Sequence, residues 1–164
     1  MGSPAKRLIQ NVMYLLIMSS FLFDSYYKYT YLQSESDMLR SKYQNMQEYL
    51  QRAFPAGQSS FQPHTFLPNA QFITDNSQLI ISIYAALQAA SAIFVLLGHR
   101  NFSWILILLT LLQMSLIYNP YYKNSTEIDR QRAFKHIWGD LSLIAILIMC
   151  SGFKRQPKLK VKMQ

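Results

Sequence analysis

Few side chains in this 164-residue chain could do chemistry, and one pair has a suggestive spacing. His136 and Asp140 are four residues apart in the last apolar run, so a helix would place them on one face. An ionisable residue at membrane depth is by default a functional hypothesis. We favour a structural charge pair instead, because Asp140 lies near the predicted interface, with Lys135 and the helix amino terminus within reach.

The other candidates do not indicate redox or metal chemistry. On the topology predicted below, His99 and His136 lie at opposite membrane faces, so they cannot ligate one haem iron. Cys150 is the only cysteine, which excludes a dithiol, and a proton path would need more membrane carboxylates than Asp140. Metal-binding spacings, nucleophile elbows and phosphate loops are absent from the sequence. We therefore predict no catalysis, no cofactor and no metal.

Four apolar runs would position these residues. The runs 80–97 and 102–118 contain no charged residue and are separated by only four residues. Each approaches the roughly 20 apolar residues that cross a bilayer, and so short a connection requires an antiparallel transmembrane hairpin. We predict spans at about 8–32, 78–97, 102–119 and 134–153, with an extramembrane insertion at 34–77.

Basic residues without acidic neighbours occupy three segments: the amino-terminal leader, the 98–101 turn and the tail at 154–164. Four spans would place all three on one side, which the positive-inside rule assigns to the cytoplasm or the mitochondrial matrix. Juxtamembrane basic residues attract anionic lipid, which we favour over nucleic acid for the tail. The candidates for lipid-headgroup binding are Lys6, Arg7, Arg100, Lys154 and Arg155.

A short amphipathic helix is predicted between the first two spans. Ser34 and Asp37 fit a capping box at its start, and Pro55 ends it. One narrow apolar stripe recurs at helical spacing: Leu39, Tyr43, Met46 and Leu50. Because this stripe is too short for a stable coiled coil, we expect it to dock on the chain's own helices, the membrane surface or another subunit. A structureless loop is expected from Pro55 to Asn76.

Small and polar residues inside the spans indicate how the helices pack. The second span is rich in alanine, which permits close approach, so we expect it to be the central helix. Gln88 and Gln113 lie within spans, and each should hydrogen-bond to a neighbouring helix rather than to a substrate. The tyrosines around Lys28, at the end of the first span, are typical of an interfacial belt.

The second half of the chain carries a family pattern. A small-residue run ends in VLLGHR, a tight basic turn and an apolar run follow, and the last span reads HIWGDLSLIAILIM. In these features, residues 78–153 resemble the DoxX-like family of four-helix membrane proteins, which includes the surfeit-locus cargo receptors. Asp140 stands where the family typically has Asn, and Ala145 and Ile146 replace its two glycines. The resemblance implies an all-α integral membrane four-helix bundle, here with the amphipathic helix and long loop inserted between spans 1 and 2.

The resemblance also implies functional classes. Some DoxX-type proteins are associated with quinol or thiol oxidation, but the cysteines that would support this are missing here. Similar folds occur in accessory subunits of protist respiratory complexes, and the heavy use of Tyr, Asn, Gln, Lys and Ile looks like an AT-rich genome. We expect a non-catalytic accessory subunit of a mitochondrial inner-membrane respiratory complex, with NADH:quinone oxidoreductase (complex I) or its supercomplex as the leading candidate. Both termini would face the matrix, other membrane subunits would be its partners, and cardiolipin would be a structural lipid. The alternative is a secretory-pathway cargo receptor in the endoplasmic reticulum membrane, and a third class is a small quinone-linked oxidoreductase.

Overall fold

The computed structural model describes residues 4–54, 67–118 and 126–152, and its regular structure is entirely helical within those ranges. This confirms the prediction of an all-α chain. The five α-helices are α1 (Pro4–Thr30), α2 (Leu32–Ala53), α3 (Ala70–Leu96), α4 (Ser103–Leu116) and α5 (Glu127–Gly152), and a 3₁₀ turn at Arg100–Phe102 precedes α4.

Helices α1 and α2 are almost continuous. Tyr31 separates them with φ −106° and ψ 36°, yet its N–H donates to the Tyr27 carbonyl at 2.9 Å. Its own carbonyl accepts from the Glu35 N–H at 3.0 Å, so the helical hydrogen bonding carries through the break. The predicted capping box at Ser34 is therefore wrong: α2 already begins at Leu32, and no side chain caps it.

Helix α3 runs antiparallel to α1 and α2 together. The Ser25 hydroxyl donates to the Ala85 carbonyl at 2.6 Å, while further along α2 the Tyr43 hydroxyl donates to the Pro68 carbonyl at 2.5 Å. Asn69 caps α3, because its side chain accepts at 3.2 Å from the backbone N–H of Gln71, the second residue of the helix. The loop predicted to run to residue 76 is thus too long. Residues 70–76 of the predicted loop form the first turns of α3 and pack on α2, whereas residues 55–66 lie outside the described ranges.

Four helices share one apolar core. Helix α5 reaches it by lying against α4 and the 3₁₀ turn, whereas α3 lies against α1, α2 and α4. Ala92, one of the two α3 residues in this core, allows close approach between helices. The buried members are Ile17, Met18 and Phe21 of α1, Ala92 and Val95 of α3, Leu106 and Ile107 of α4, and Ile144 and Leu147 of α5.

The apolar stripe of α2 packs on the first half of α3. Leu39 and Tyr43 are buried against Ile73 and Ile81, and Met46 packs at the edge of the same cluster. Two polar contacts add to this interface, since the Arg40 Nε donates to the Ser77 hydroxyl at 2.8 Å and to the Thr74 carbonyl at 3.1 Å. Of the three docking sites left open by the sequence, the chain's own helix is the one observed. Leu50 is half-buried outside the cluster.

Within the described ranges, α3 is the one helix that is both long and apolar enough to cross a membrane. The 3₁₀ turn and α4 together make a shorter apolar helix, Arg100–Leu116. Helices α1 and α5 have 27 and 26 residues, close to the 27 of α3, and they contain Asp24 and Asp140, respectively. All four predicted spans, at 8–32, 78–97, 102–119 and 134–153, therefore stay predictions, and α3 at Ala70–Leu96 is compatible with the second of them.

Candidate functional site

An aspartate and a lysine of α1 form an ion pair on the interior side of the helix. Lys28 is 3% exposed, and its ammonium hydrogen-bonds to the Asp24 carboxylate one turn earlier. The Asp24 side chain is 40% exposed to solvent. A buried ammonium is strongly destabilising without a partner of this kind. The tyrosines on either side of Lys28 are exposed, and their interfacial belt stays a prediction.

Gln88 connects this ion pair to α3. Its Nε2 donates to the Asp24 Oδ2 at 2.8 Å, which is the helix-to-helix bond expected of a glutamine in a span. The residue is 2% exposed, and its Oε1 has no hydrogen-bond partner among the described residues. An orphaned buried amide oxygen is uncommon, because its desolvation is not compensated. Gln88 thus offers one free acceptor inside the structure.

Tyr84 and Gln113 extend the polar contacts to α4. The Tyr84 hydroxyl donates to the Gln113 Oε1 at 2.8 Å and lies 3.1 Å from the Leu109 carbonyl. The Lys28 Nζ lies 5.4 Å from the centroid of the Tyr84 ring, within the range of a cation–π interaction. Gln113 therefore also bonds to a neighbouring helix, as expected, and polar contacts run from α1 through α3 to α4.

Asp140 of α5 faces the same region. The charges of His136, Asp24 and Lys28 all act on its carboxyl group, and its Oδ2 is buried without a partner in the described part of the chain. The predicted support from a helix amino terminus is wrong, because α5 begins at Glu127, about three and a half turns earlier. The predicted pairing with His136 is not an ion pair either. The His136 ring instead stacks on Tyr118, with 4.6 Å between centroids and 8° between planes.

We name these side chains the polar layer, and they come from four helices: Asp24, Lys28, Tyr84, Gln88, Gln113 and Asp140. The layer holds a neutralised ion pair, amides, a phenol and two unpartnered acceptor oxygens. Such groups fix helix register and accept hydrogen bonds from a bound donor. Across the described residues, no three His, Cys, Asp or Glu side chains are placed to hold a metal ion.

The sequence does contain a signal for the buried ion pair, which is the spacing of its two residues. Asp24 and Lys28 are four residues apart, which brings opposite charges together on a helix. From the sequence, the tyrosines around Lys28 are predicted to lie at a membrane interface, and Asp140 is identified as the carboxylate at membrane depth. The antiparallel register of α1 and α3, which sets Asp24 beside Gln88, is what places the ion pair inside.

Glu35 lies outside the predicted spans, and its burial changes the pKa of its carboxyl group. Burial raises the pKa of Glu35, and the charge of Asp24 acts in the same direction, while the charge of Lys28 opposes both. Glu35 lies in the first turn of α2, just beyond the break at Tyr31. The electrostatic influence of the ion pair therefore extends into α2.

Among the lipid-headgroup candidates, Arg100 is the one whose side chain is described. Its guanidinium carbon lies 5.9 Å from the centroid of the Tyr14 ring of α1. Lys6 and Arg7 belong to α1, but their side chains lie outside the described part, and Lys154 and Arg155 lie wholly outside it. The start of α1 and the end of α5 both lie at the end of the structure that carries Arg100.

Comparisons with known proteins give no relative. No protein-family model, curated protein or solved structure matches this chain. What supports a function is therefore the chain's own geometry, in particular the polar layer and the apolar surface that surrounds it.

Proposed function

We propose that this chain is an integral membrane protein in which α1, α3, α4 and α5 cross the bilayer in a DoxX-like bundle. We further propose that it serves as a non-catalytic accessory subunit of a mitochondrial inner-membrane respiratory complex, with NADH:quinone oxidoreductase as the leading candidate. The alternative remains a cargo receptor of the secretory pathway.

The observation that carries the membrane assignment is an inverted distribution of polarity. Lys28, Gln88 and Ser91 are buried, whereas large apolar side chains on every helix of the bundle are exposed. Of the most apolar stretch of 18 residues in α3, only 33% is buried, which is low for the core helix of a water-soluble protein. Soluble monomers rarely expose large contiguous apolar patches, whereas lipid covers them in a membrane. Strongly exposed examples are Leu15, Phe23, Ile83, Leu108, Trp138 and Met149.

The length of α3 and the position of Arg100 support the proposed orientation. Helix α3 has 27 residues, or about 40 Å at 1.5 Å per residue, which exceeds the hydrocarbon thickness of about 30 Å. Its first turns pack on α2 at one end, and Arg100 lies at the other. The positive-inside rule then places Arg100 in the matrix and α2 in the intermembrane space. In that orientation Gln88 is ten residues from Gly98, or roughly 15 Å, near the centre of the bilayer.

A structural role for the polar layer supports the non-catalytic assignment. Asp24 is neutralised by Lys28 and bonded by Gln88, and Tyr84 is bonded to Gln113. These contacts join helices to one another, which is how polar side chains stabilise membrane bundles. The Oε1 of Gln88 and the Oδ2 of Asp140 have no partner among the described residues, and this favours the quinone-linked alternative because both could accept hydrogen bonds from the hydroxyls of a bound quinol.

The experiment is a blue-native gel of mitochondrial membranes solubilised in mild detergent, with the protein tagged and NADH-dehydrogenase activity stained in the same lane. Co-migration with a megadalton NADH-oxidising band is the expected result. Recovery in secretory membranes, in a small band without that activity, would contradict the respiratory assignment and favour the cargo receptor. A redox cofactor retained by the purified protein would favour the quinone-linked class.

A further inference from the structure

Arg100 is a half-buried cation without a carboxylate partner. None of the ion pairs within the described ranges involves it, and its guanidinium instead lies over the ring of Tyr14. At 5.9 Å from the ring centroid this is a cation–π contact, which uses the face of the guanidinium and none of its N–H donors. Its guanidinium also makes no hydrogen bond to another described residue, so its donors can serve a ligand.

These donors border a groove of about 390 Å³ between the first turns of α1 and the end of α3. Its polar lining comes from Asn11, Tyr14 and Arg100, and its apolar lining includes Leu15 and Leu96. Gly98 at its edge has a φ of 99°, which lets the chain turn sharply towards Arg100. The groove thus combines a cation and an amide at the end of the bundle with an apolar wall along its side.

We propose that this groove binds the phosphate of an anionic phospholipid headgroup. The guanidinium of Arg100 donates to the phosphate oxygens in its forked geometry, and the Asn11 amide adds a donor. An acyl chain follows Leu15 and Leu96, which are 61% and 42% exposed. The proposal rests on the membrane assignment above and gives the basic end of the bundle a defined lipid site.

Phospholipid is favoured over free phosphate by the apolar wall. A site for a free anion has no use for exposed leucines beside the cation, whereas a lipid covers both at once. Basic grooves between membrane helices on the matrix side are the expected place for such headgroups. Arg7, which precedes Asn11 by one helical turn, adds a positive residue to the same end of α1.

The test is native mass spectrometry of the full-length protein in an uncharged detergent. Phosphatidylglycerol and phosphatidylcholine with identical acyl chains are titrated separately, with inorganic phosphate as a competitor. We expect phosphatidylglycerol adducts that phosphatidylcholine does not match and that inorganic phosphate displaces only in large excess. Arg100→Ala should weaken phosphatidylglycerol binding about tenfold or more, since a charge-assisted contact is lost, and Arg100→Lys should weaken it less.

The matched control is Arg52→Ala, because Arg52 is exposed on α2 and already paired with Glu48 at 2.7 Å. It should leave lipid binding unchanged. If Arg100→Ala alters the far-ultraviolet circular dichroism of the protein, Arg100→Gln removes the charge but keeps a polar side chain for the same comparison. Equal binding of phosphatidylglycerol to wild type and a folded Arg100 variant would overturn the proposal. So would equal affinity for inorganic phosphate, or equal retention of phosphatidylcholine.

Failure of the membrane assignment has a different signature. A protein that partitions into the aqueous phase without detergent would contradict the bundle as a whole. A protein that needs detergent, keeps its helicity and binds no phosphatidylglycerol would overturn only the groove.

Discussion

Asp24 and Lys28 should respond unequally to substitution, although they are partners in one ion pair. Asp24→Asn leaves the Lys28 ammonium, 3% exposed, without a carboxylate. Lys28→Met leaves a carboxylate whose side chain is 40% exposed and which still accepts from Gln88 at 2.8 Å. The Lys28 ammonium is more deeply buried and has less access to water or to another partner. Loss of its partner should therefore destabilise the fold more than loss of the partner of Asp24.

The expected magnitudes follow from this difference in burial. Breaking a buried ion pair from one side destabilises by about 3–5 kcal/mol, and we expect Asp24→Asn near the lower end because the asparagine oxygen still accepts a hydrogen bond. Lys28→Met should cost about 1–2 kcal/mol, because the remaining carboxylate keeps one hydrogen bond and some solvent. The double variant removes both charges and should lie within about 1 kcal/mol of wild type. The coupling between the two sites should therefore be favourable and large.

A denaturant titration in mild detergent, followed by far-ultraviolet circular dichroism, would measure these differences. The matched control is the pair Glu48→Gln and Arg52→Met, which has the same four-residue spacing but is 61% and 47% exposed. An exposed pair contributes between zero and about 1 kcal/mol. The reasoning is refuted if Asp24→Asn costs no more than Glu48→Gln, or if the double variant is as unstable as Asp24→Asn alone.

Three further substitutions test the packing and the electrostatics. Leu39→Asp should cost about 3 kcal/mol or more by placing a charge in the α2–α3 interface, and proteolysis should then release α2; Ser41→Asp, on the exposed face, should do neither. Ala92→Leu should lower thermal stability in detergent through overpacking by about 1–3 kcal/mol, and an equal loss in the exposed control Ala90→Leu would contradict the close approach at α3. Because the folded-state pKa of Glu35 is raised, its ionisation destabilises the fold as pH rises through that pKa. Glu35→Gln should therefore be more stable than wild type at neutral pH. Below about pH 4 the two should be equally stable, because the unfolded carboxyl is protonated too. Unfolding midpoints measured across this pH range test the reasoning, which fails if the difference in midpoint between variant and wild type does not change with pH.

Features set by local pattern were accessible from the sequence. The apolar stripe through Leu39 and Tyr43 has a helical period, and the structure buries both residues. Glu48 and Arg52 have the spacing of a helical ion pair, and they form one at 2.7 Å. Gln88 was expected to bond across helices because a membrane span offers few other partners, and it bonds to α1. The first two features depend on residues within one or two helical turns of each other. The third depends on the small number of hydrogen-bond partners available inside a membrane span.

Features set by register between helices were not accessible. Lys28 is buried because α1 continues into α2 and both lie antiparallel to α3, which no local pattern reveals. Asp140 was placed near a helix start because hydropathy rises there, whereas the helix itself begins at Glu127 in a charged stretch. Hydropathy marks where lipid could lie, and the helix extends beyond that boundary. The polar layer is the product of this register, so it appears only when the helices are assembled.

The most direct test of the membrane topology is the labelling of single cysteines in sealed inner-membrane vesicles. In a Cys150→Ser background, Ser41→Cys reports on α2 and Asn101→Cys on the basic turn, and both positions are exposed. A membrane-impermeant maleimide should modify one of them in intact vesicles and the other only after permeabilisation, with the pattern reversed in inverted vesicles. Equal labelling of both positions in intact vesicles of either orientation would contradict a bundle that spans the membrane between α2 and Arg100.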